Sequence, residues 1–473
     1  MRSGLGSIGG APAALTDLVA RARYALSDRA GLRVLGAAGI VLFLLGVGVA
    51  VASGDLKIVA ILIGLLAAPF LIALALWRPF LFPYGLYVVL VPFDNLLSLG
   101  SGGTLTKLTG GLTIVAVVIA IVRGRRIVRP AITVPIAIVY TFWMLLTTFW
   151  AVDFGLAMQD VTTTFSLVAL FVVLSIAPVE ERDLRTICLM IAISGVAAAL
   201  YGIWYFHQNP PSLDGRLFVD VSGRRIDPNG FADSLLAPFA LALVGLVQSR
   251  RIHTLLGSLA ALAVLGEGVL ITLSREAMLA CVAVALVVVL MSRRRLFALA
   301  LMVPTLASIL LFVPAVLTRL TDALSTGGAG RTAIWQVDIH AWLQHPILGW
   351  GAGSAFQAYS ANLLRVAPHD FAGWDRPPHN VPLNMLLDGG LIAFLLVAAC
   401  YVLMFRQLAR IPRGDRLYDL RVAFTAALVA IGIVSLFIDN ATDKYVWLVL
   451  CSIAQLRVVA LARSTPIEQL RGP

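Results

Sequence analysis

Apolar runs long enough to cross a bilayer as helix, about 20 residues each, follow one another along most of this chain. They predict spans near Leu32–Ala52, Ile58–Leu76, Phe80–Leu97, Leu108–Val122, Ile132–Trp150, Val161–Ala177 and Leu184–Phe206. Further runs lie near Phe231–Val247, Thr254–Leu273, Ala277–Met291, Leu296–Leu317, Val381–Phe405, Val422–Ile438 and Tyr445–Leu461. That makes roughly fourteen spans, or about twelve if two short ones are re-entrant or peripheral. One long polar stretch breaks the pattern, from Thr318 to Pro378, and it leads directly into His379-Asn380. The predicted fold is therefore all-α: a polytopic membrane helix bundle of about 12–14 spans with one long outer loop that contains amphipathic helices. The organisation expected is a cytoplasmic tail over 1–31, a bundle over 32–317, the loop over 318–379, C-terminal spans over 380–462 and a second tail over 463–473.

Composition supports this class. Hydrophobic residues make up 60% of the chain and charged residues 13%, too apolar a balance for a soluble domain of this length. The net charge is +11, and Lys57, Lys107 and Lys444 are the only lysines. Arginine binds phosphate oxygens with a two-pronged fork, yet most of these arginines suit cytoplasmic loops facing anionic lipid. No nucleic-acid motif is present. Cys188, Cys281, Cys400 and Cys451 are widely spaced within or beside apolar runs and suggest neither zinc nor a disulfide framework.

Charge sets the orientation. With the N-terminus cytoplasmic, the cytoplasmic loops hold Arg78, then Arg123, Arg125, Arg126 and Arg129, then Arg250 and Arg251. Arg293–Arg295 follow, and then Arg406, Arg410, Arg413 and Arg416, while most opposite loops are poor in basic residues. Arginines break the rule at three outer places: Arg216, Arg224 and Arg225; Arg275; and Arg319, Arg331, Arg365 and Arg376 of the long loop. No anionic leaflet rewards them there, and a diphosphate is a fitting partner.

The candidate chemistry sits beside these arginines, each motif with a plainer alternative. Ser274-Arg275-Glu276 forms a tight turn between two apolar runs, at the depth of lipid-linked phosphates; the plainer reading is a snorkelling arginine or a local pair with Glu276. Arg331 follows Gly327–Gly330 and opens a predicted helix over Thr332–His345, where a positive helix end favours anions. One face of that helix carries Ile334, Val337 and Ala341, and a neighbouring face Trp335, Ile339 and Trp342. The turn from His345 to Gly353 offers Trp350 as a sugar platform or as packing. His379 follows two prolines at the head of a span, where an imidazole can take a proton from a hydroxyl, oriented by Asn380 or Asp388. Asn229 of Asp227-Pro228-Asn229-Gly230 is a candidate helix cap or outer-cavity group. Asp94, Asp233, Glu267 and Asp388 lie within spans; for Asp94 and Glu267 a buried pair or hydrogen bond is preferred over a proton path. The spacing of His369, Asp370, Asp375 and His379 does not match a metal site.

Taken in order, these motifs resemble the O-antigen ligase family and its polymerase relatives. The matching residues are Asp227-Pro228-Asn229-Gly230-Phe231-Ala232, Ser274-Arg275-Glu276, Gly330-Arg331-Thr332-Ala333-Ile334-Trp335, Gly349-Trp350-Gly351-Ala352-Gly353, His379-Asn380-Val381-Pro382-Leu383 and Asp388-Gly389-Gly390-Leu391-Ile392. They cover the second half of the chain; the first half matches only as spans. Asp388 departs from the pattern, which leads one to expect Glu. The resemblance implies transfer of a glycan from undecaprenyl diphosphate to lipid A–core oligosaccharide at the periplasmic face of a bacterial inner membrane, without metal or cofactor. His379 is then the base, with Arg275 and Arg331 on the diphosphate. Arg216, Arg224, Arg225, Asn229 and Asn380 are expected to contact substrate. The alternatives are a polymerase joining repeat units on the same carrier, a protein O-glycosyltransferase, a lipid-linked glycan flippase, or a membrane scaffold.

Overall fold

The computed structural model describes residues 71–96, 103–124, 127–209, 216–217, 219–221, 224–300, 302–303, 331–366 and 378–464. The expected spans Leu32–Ala52 and, for the most part, Ile58–Leu76 and Leu296–Leu317 lie outside them. So do Arg319, His369, Asp370, Asp375 and Arg376. Residues 71–77 are helical and belong to a separate N-terminal unit.

The rest is helical apart from one small hairpin. A broken first element, α1 (Tyr84–Leu90) and a 3-10 turn (Val91–Leu96), precedes α2 (Leu105–Val122), α3 (Thr133–Thr147), α4 (Phe154–Ile176) and α5 (Glu181–Gln208). Strands β1 (Val219–Val221) and β2 (Arg224–Ile226) pair antiparallel, with Asp220 opposite Arg225. Then come α6 (Pro228–Ser234), α7 (Leu236–Gln248), α8 (Ile252–Leu270) and α9 (Arg275–Met291). The long polar segment supplies α10 (Arg331–Trp342) and α11 (Ala355–Val366), followed by α12 (Val381–Ala409), α13 (Tyr418–Val434) and α14 (Lys444–Ser464). Among the described residues, seven helical stretches are long and apolar enough to cross a membrane. The chain is an all-α, multi-pass membrane protein, and the predicted spans on described residues overlap helices, that near Phe80–Leu97 only as the short α1 and its 3-10 turn.

The core is built where these helices cross: α9 and α7 pack on α13, α8 on α7 and α5, α3 on α12, and α14 on α4. Apolar side chains fill the contacts, among them Phe171, Leu174, Leu184, Ile187, Phe424 and Leu428. Small residues let backbones approach, as they do between membrane helices. A Cβ on Gly195 would lie 2.3 Å from the Pro238 ring, and one on Gly268 would lie 2.8 Å from Ala199 Cβ.

The two ends of the bundle differ in charge. At one end Arg78 pairs with Asp183 at 3.0 Å, and Arg185 with Glu181 and Asp419 at 2.9 and 3.1 Å. There too Arg294 donates to Ser249 O, Arg457 to Arg129 O and Arg293 to Arg413 O. Of the arginines that the sequence assigns to cytoplasmic loops, these contacts gather Arg78, Arg129, Arg293, Arg294 and Arg413. α9 runs from that end, at Met291, to Arg275 at the other.

Two predictions inside spans resolve differently. Asp94 makes an ion pair with Lys444 and accepts from Thr106, which is the plain structural reading. Glu267 is exposed, not buried as expected, because it lies in the last turn of α8 and its carboxylate reaches the surface.

Candidate active site

The end of the bundle opposite the arginine cluster gathers most of the residues singled out from sequence. The first group forms around the Ser274 turn. Thr272 and Leu273 leave α8, with Leu273 at φ +50, and Ser274 caps α9 by accepting from Ala277 N at 3.4 Å. This places Arg275 and Glu276 in the first turn of α9, where the positive end of the helix also favours anions. Arg216 braces the turn from outside. Its Nε donates to Thr272 O at 3.0 Å, its Nη2 donates to Asn229 Oδ1 at 2.6 Å, and Leu217 N donates to Ile271 O at 2.9 Å. Asp227, not Asn229, caps α6, accepting from Asn229 N at 2.7 Å. Asn229 is thereby left to hold Arg216. Arg224 and Arg225 lie on β2.

The second group enters with α10, which begins at Arg331 itself. Ile334, Val337 and Ala341 are buried, as the spacing predicts, whereas Ile339 of the neighbouring face is exposed. The buried face packs on α11 and α12, so protein and not bilayer covers it. Arg331 reaches Glu276, Nη2 to Oε1 at 3.6 Å, and its guanidinium lies 5.8 Å from the centre of the Phe437 ring. Glu276 therefore pairs with Arg331 across the site, and not locally with Arg275. The Glu276 side chain is 5% exposed and that of Arg331 18%, so water screens the pair weakly.

The third group is the His379 turn. His379 is half-buried, with φ +49. Asn380 caps α12, accepting from Leu383 N at 2.9 Å, and donates through Nδ2 to Leu436 O at 3.1 Å. Val381 N donates to Ser435 O at 2.8 Å. On the other flank, Trp335 Nε1 donates to Pro378 O at 2.9 Å, and the Trp335 ring lies 6.5 Å from Phe437. The segment after α13, Ser435 to Phe437, thus contacts both Arg331 and the neighbours of His379. Arg331 and the His379 turn meet at this segment, and Glu276 joins them through Arg331.

Asp388 does not orient His379. Its Oδ1 accepts from Ser354 N at 3.0 Å and Ala355 N at 3.1 Å, capping α11. The reason is a break in α12, where Gly390 has φ 66 and ψ −165. The break frees backbone groups that the His345–Gly353 turn satisfies: Trp350 N donates to Leu387 O, Gly351 N to Asp388 O, and Leu391 N to Pro346 O. Trp350 itself donates to Ala341 O at 2.9 Å, so this turn packs, and the reading as a sugar platform gives way to its alternative. Beyond the break, Leu391–Ala409 is about 28 Å long, enough to cross the bilayer core alone. The first two turns of α12 are left to carry His379 at this end of the bundle.

Sequence reasoning missed three participants. Phe437 was placed inside a span, but α13 ends at Val434, and the polar run Asp439-Asn440 to Asp443 was the available sign. Glu276 was seen only as a local partner. Trp335 was seen only as part of a helix face. Among the described residues no group of three or more His, Cys, Asp or Glu could hold a metal ion.

Chemically, this end offers cationic groups at two helix starts in a partly dry setting, with an imidazole on a fixed turn nearby. That suits an anionic leaving group and a hydroxyl that must lose a proton. Residues 260–398, which hold Arg275, Arg331 and His379, match the O-antigen ligase family. An O-antigen ligase of Pseudomonas aeruginosa is 27% identical over 288 residues, which cover 59% of this chain and 66% of that protein. The match to the O-antigen ligase family thus spans the site just described.

Proposed function

We propose that this protein is a glycosyltransferase that moves an O-antigen glycan from undecaprenyl diphosphate to the lipid A–core oligosaccharide, at the periplasmic face of a bacterial inner membrane. The carrying observation is that Arg331, which pairs with Glu276, and Trp335, which holds Pro378 beside His379, both meet the Phe437 ring. The similarity to the O-antigen ligase family supports the class of reaction.

In the reaction, an acceptor hydroxyl oxygen forms a bond to the anomeric carbon as the bond from that carbon to the diphosphate breaks. His379 takes the hydroxyl proton. Undecaprenyl diphosphate departs with the electron pair, and its new charge falls beside Arg275 and Arg331. Preoriented guanidinium groups in a poorly hydrated site stabilise such charge far better than water does. Arg216 holds the turn that carries Arg275, through Thr272 and Asn229. Arg224 and Arg225 on β2 attract donor or acceptor phosphates. Asn380 fixes the base from its C-terminal flank.

The test is an assay with purified protein in lipid nanodiscs, carrier-linked glycan and separate acceptors, run with EDTA present. Arg275→Ala, Arg331→Ala and His379→Ala each lower transfer to lipid A–core by about 10²-fold or more, while the proteins still insert. Near-normal transfer by all three overturns the assignment. Elongation of the carrier-linked glycan without lipid A–core transfer identifies a polymerase instead.

A further inference from the structure

Resting on that reading, we infer that Trp335 is a positioning residue for His379, and that α10 works as a strut fixing the spacing between the general base and the diphosphate-binding arginine.

The argument starts from the backbone at His379. Its φ of +49 lies in the left-handed region, uncommon for a non-glycine residue, so the contacts that hold the turn matter to where the imidazole sits. The holding groups on the C-terminal side are Asn380 on Leu436 O and Val381 N on Ser435 O. On the N-terminal side Pro378 has no N–H, so its carbonyl is the backbone group left to anchor it. That carbonyl accepts from Trp335 Nε1 at 2.9 Å. The His379 peptide is thus clamped between the α13–α14 turn and one indole.

The indole is well placed to transmit geometry. Trp335 follows Arg331 by four residues, one turn further along α10 and on the same face, a rise of about 6 Å. Both side chains meet the Phe437 ring, Arg331 at 5.8 Å and Trp335 at 6.5 Å. Phe437 follows directly on Ser435-Leu436, the C-terminal anchors. A single rigid helical turn therefore carries one group that grips the donor and another that fixes the base. Reactions that need two bound groups in register are sensitive to small displacements; a shift of about 1 Å can cost about 10²-fold in rate.

Trp335→Phe keeps an aromatic ring against Phe437 and removes the N–H. A second variant replaces Trp335 by the analogue with sulfur in place of the indole N–H, which keeps the full ring shape. Both are assayed for kcat and for the KM of the carrier-linked donor, beside Arg331→Lys and His379→Ala. The strut requires kcat to fall at least tenfold in both Trp335 variants while donor KM stays within twofold. Arg331→Lys raises donor KM. Placed in the His379→Ala background, Trp335→Phe causes no further loss. If the sulfur analogue retains kcat within twofold of the parent, Trp335 only packs and the inference fails, whatever Trp335→Phe does. If His379→Ala itself transfers normally, the functional reading fails first and the inference with it.

Discussion

Asp338 gives the sharpest physical test of how α10 and α11 are held. It lies on α10, fully buried, and neither carboxylate oxygen has a hydrogen-bond partner. Burial pushes its pKa up to about 8, because an ionised carboxylate without partners is disfavoured away from water. The folded protein therefore holds a proton that the unfolded chain releases above its ordinary pKa of about 4. Between about pH 4 and pH 8 each step up in pH costs folded-state stability; below and above that window this group adds no slope. From pH 5 to pH 7 the loss is about 3 kcal/mol, at about 1.4 kcal/mol per pH unit. Asp338→Asn keeps the shape and removes the titration. The assay is hydrogen–deuterium exchange of the α10 amides at pH 5, 6 and 7, corrected for intrinsic exchange rates. In the parent protein, protection of α10 falls by about 10²-fold over that range. In the variant it stays level, and at pH 7 α10 is better protected than in the parent. Equal pH dependence in the two proteins would refute the reasoning, because the buried carboxyl would then not be carrying its proton alone.

Two further outcomes follow from the site. Glu276→Gln removes the charge that steadies Arg331 at 3.6 Å and is expected to weaken that contact by about 1–3 kcal/mol, raising donor KM more than it lowers kcat; a lowered KM would mean that the carboxylate competes with the diphosphate for the guanidinium. Gly349→Ala is expected to abolish folded protein on size-exclusion chromatography. Its Cβ would lie 2.6 Å from Gly390 N and Leu387 O at a φ of +72; a monodisperse, active variant would show that the turn docks on the α12 break more loosely than described.

The apolar pattern determined the spans that fall on the described residues, and the arginine bias separated the two ends, because both follow from transfer of side chains and charge between water and lipid. The start of α10 at Arg331 was also legible, whereas the caps of α6, α9 and α12 (Asp227, Ser274 and Asn380) emerged only from the fold. What joins those starts was not legible. Glu276 and Arg331 are 55 positions apart, Trp335 and Pro378 are 43 apart, and Phe437 lies in yet another segment, so only packing could bring them together. Local chemistry also misled at Asp388, whose carboxylate looked available to His379. The break at Gly390 turns it instead into the cap of α11. Periodicity and charge are properties of single helices and can be read from one segment at a time. Which carboxylate meets which guanidinium depends on how far each helix is tilted and where one is broken, and the fold alone sets those distances.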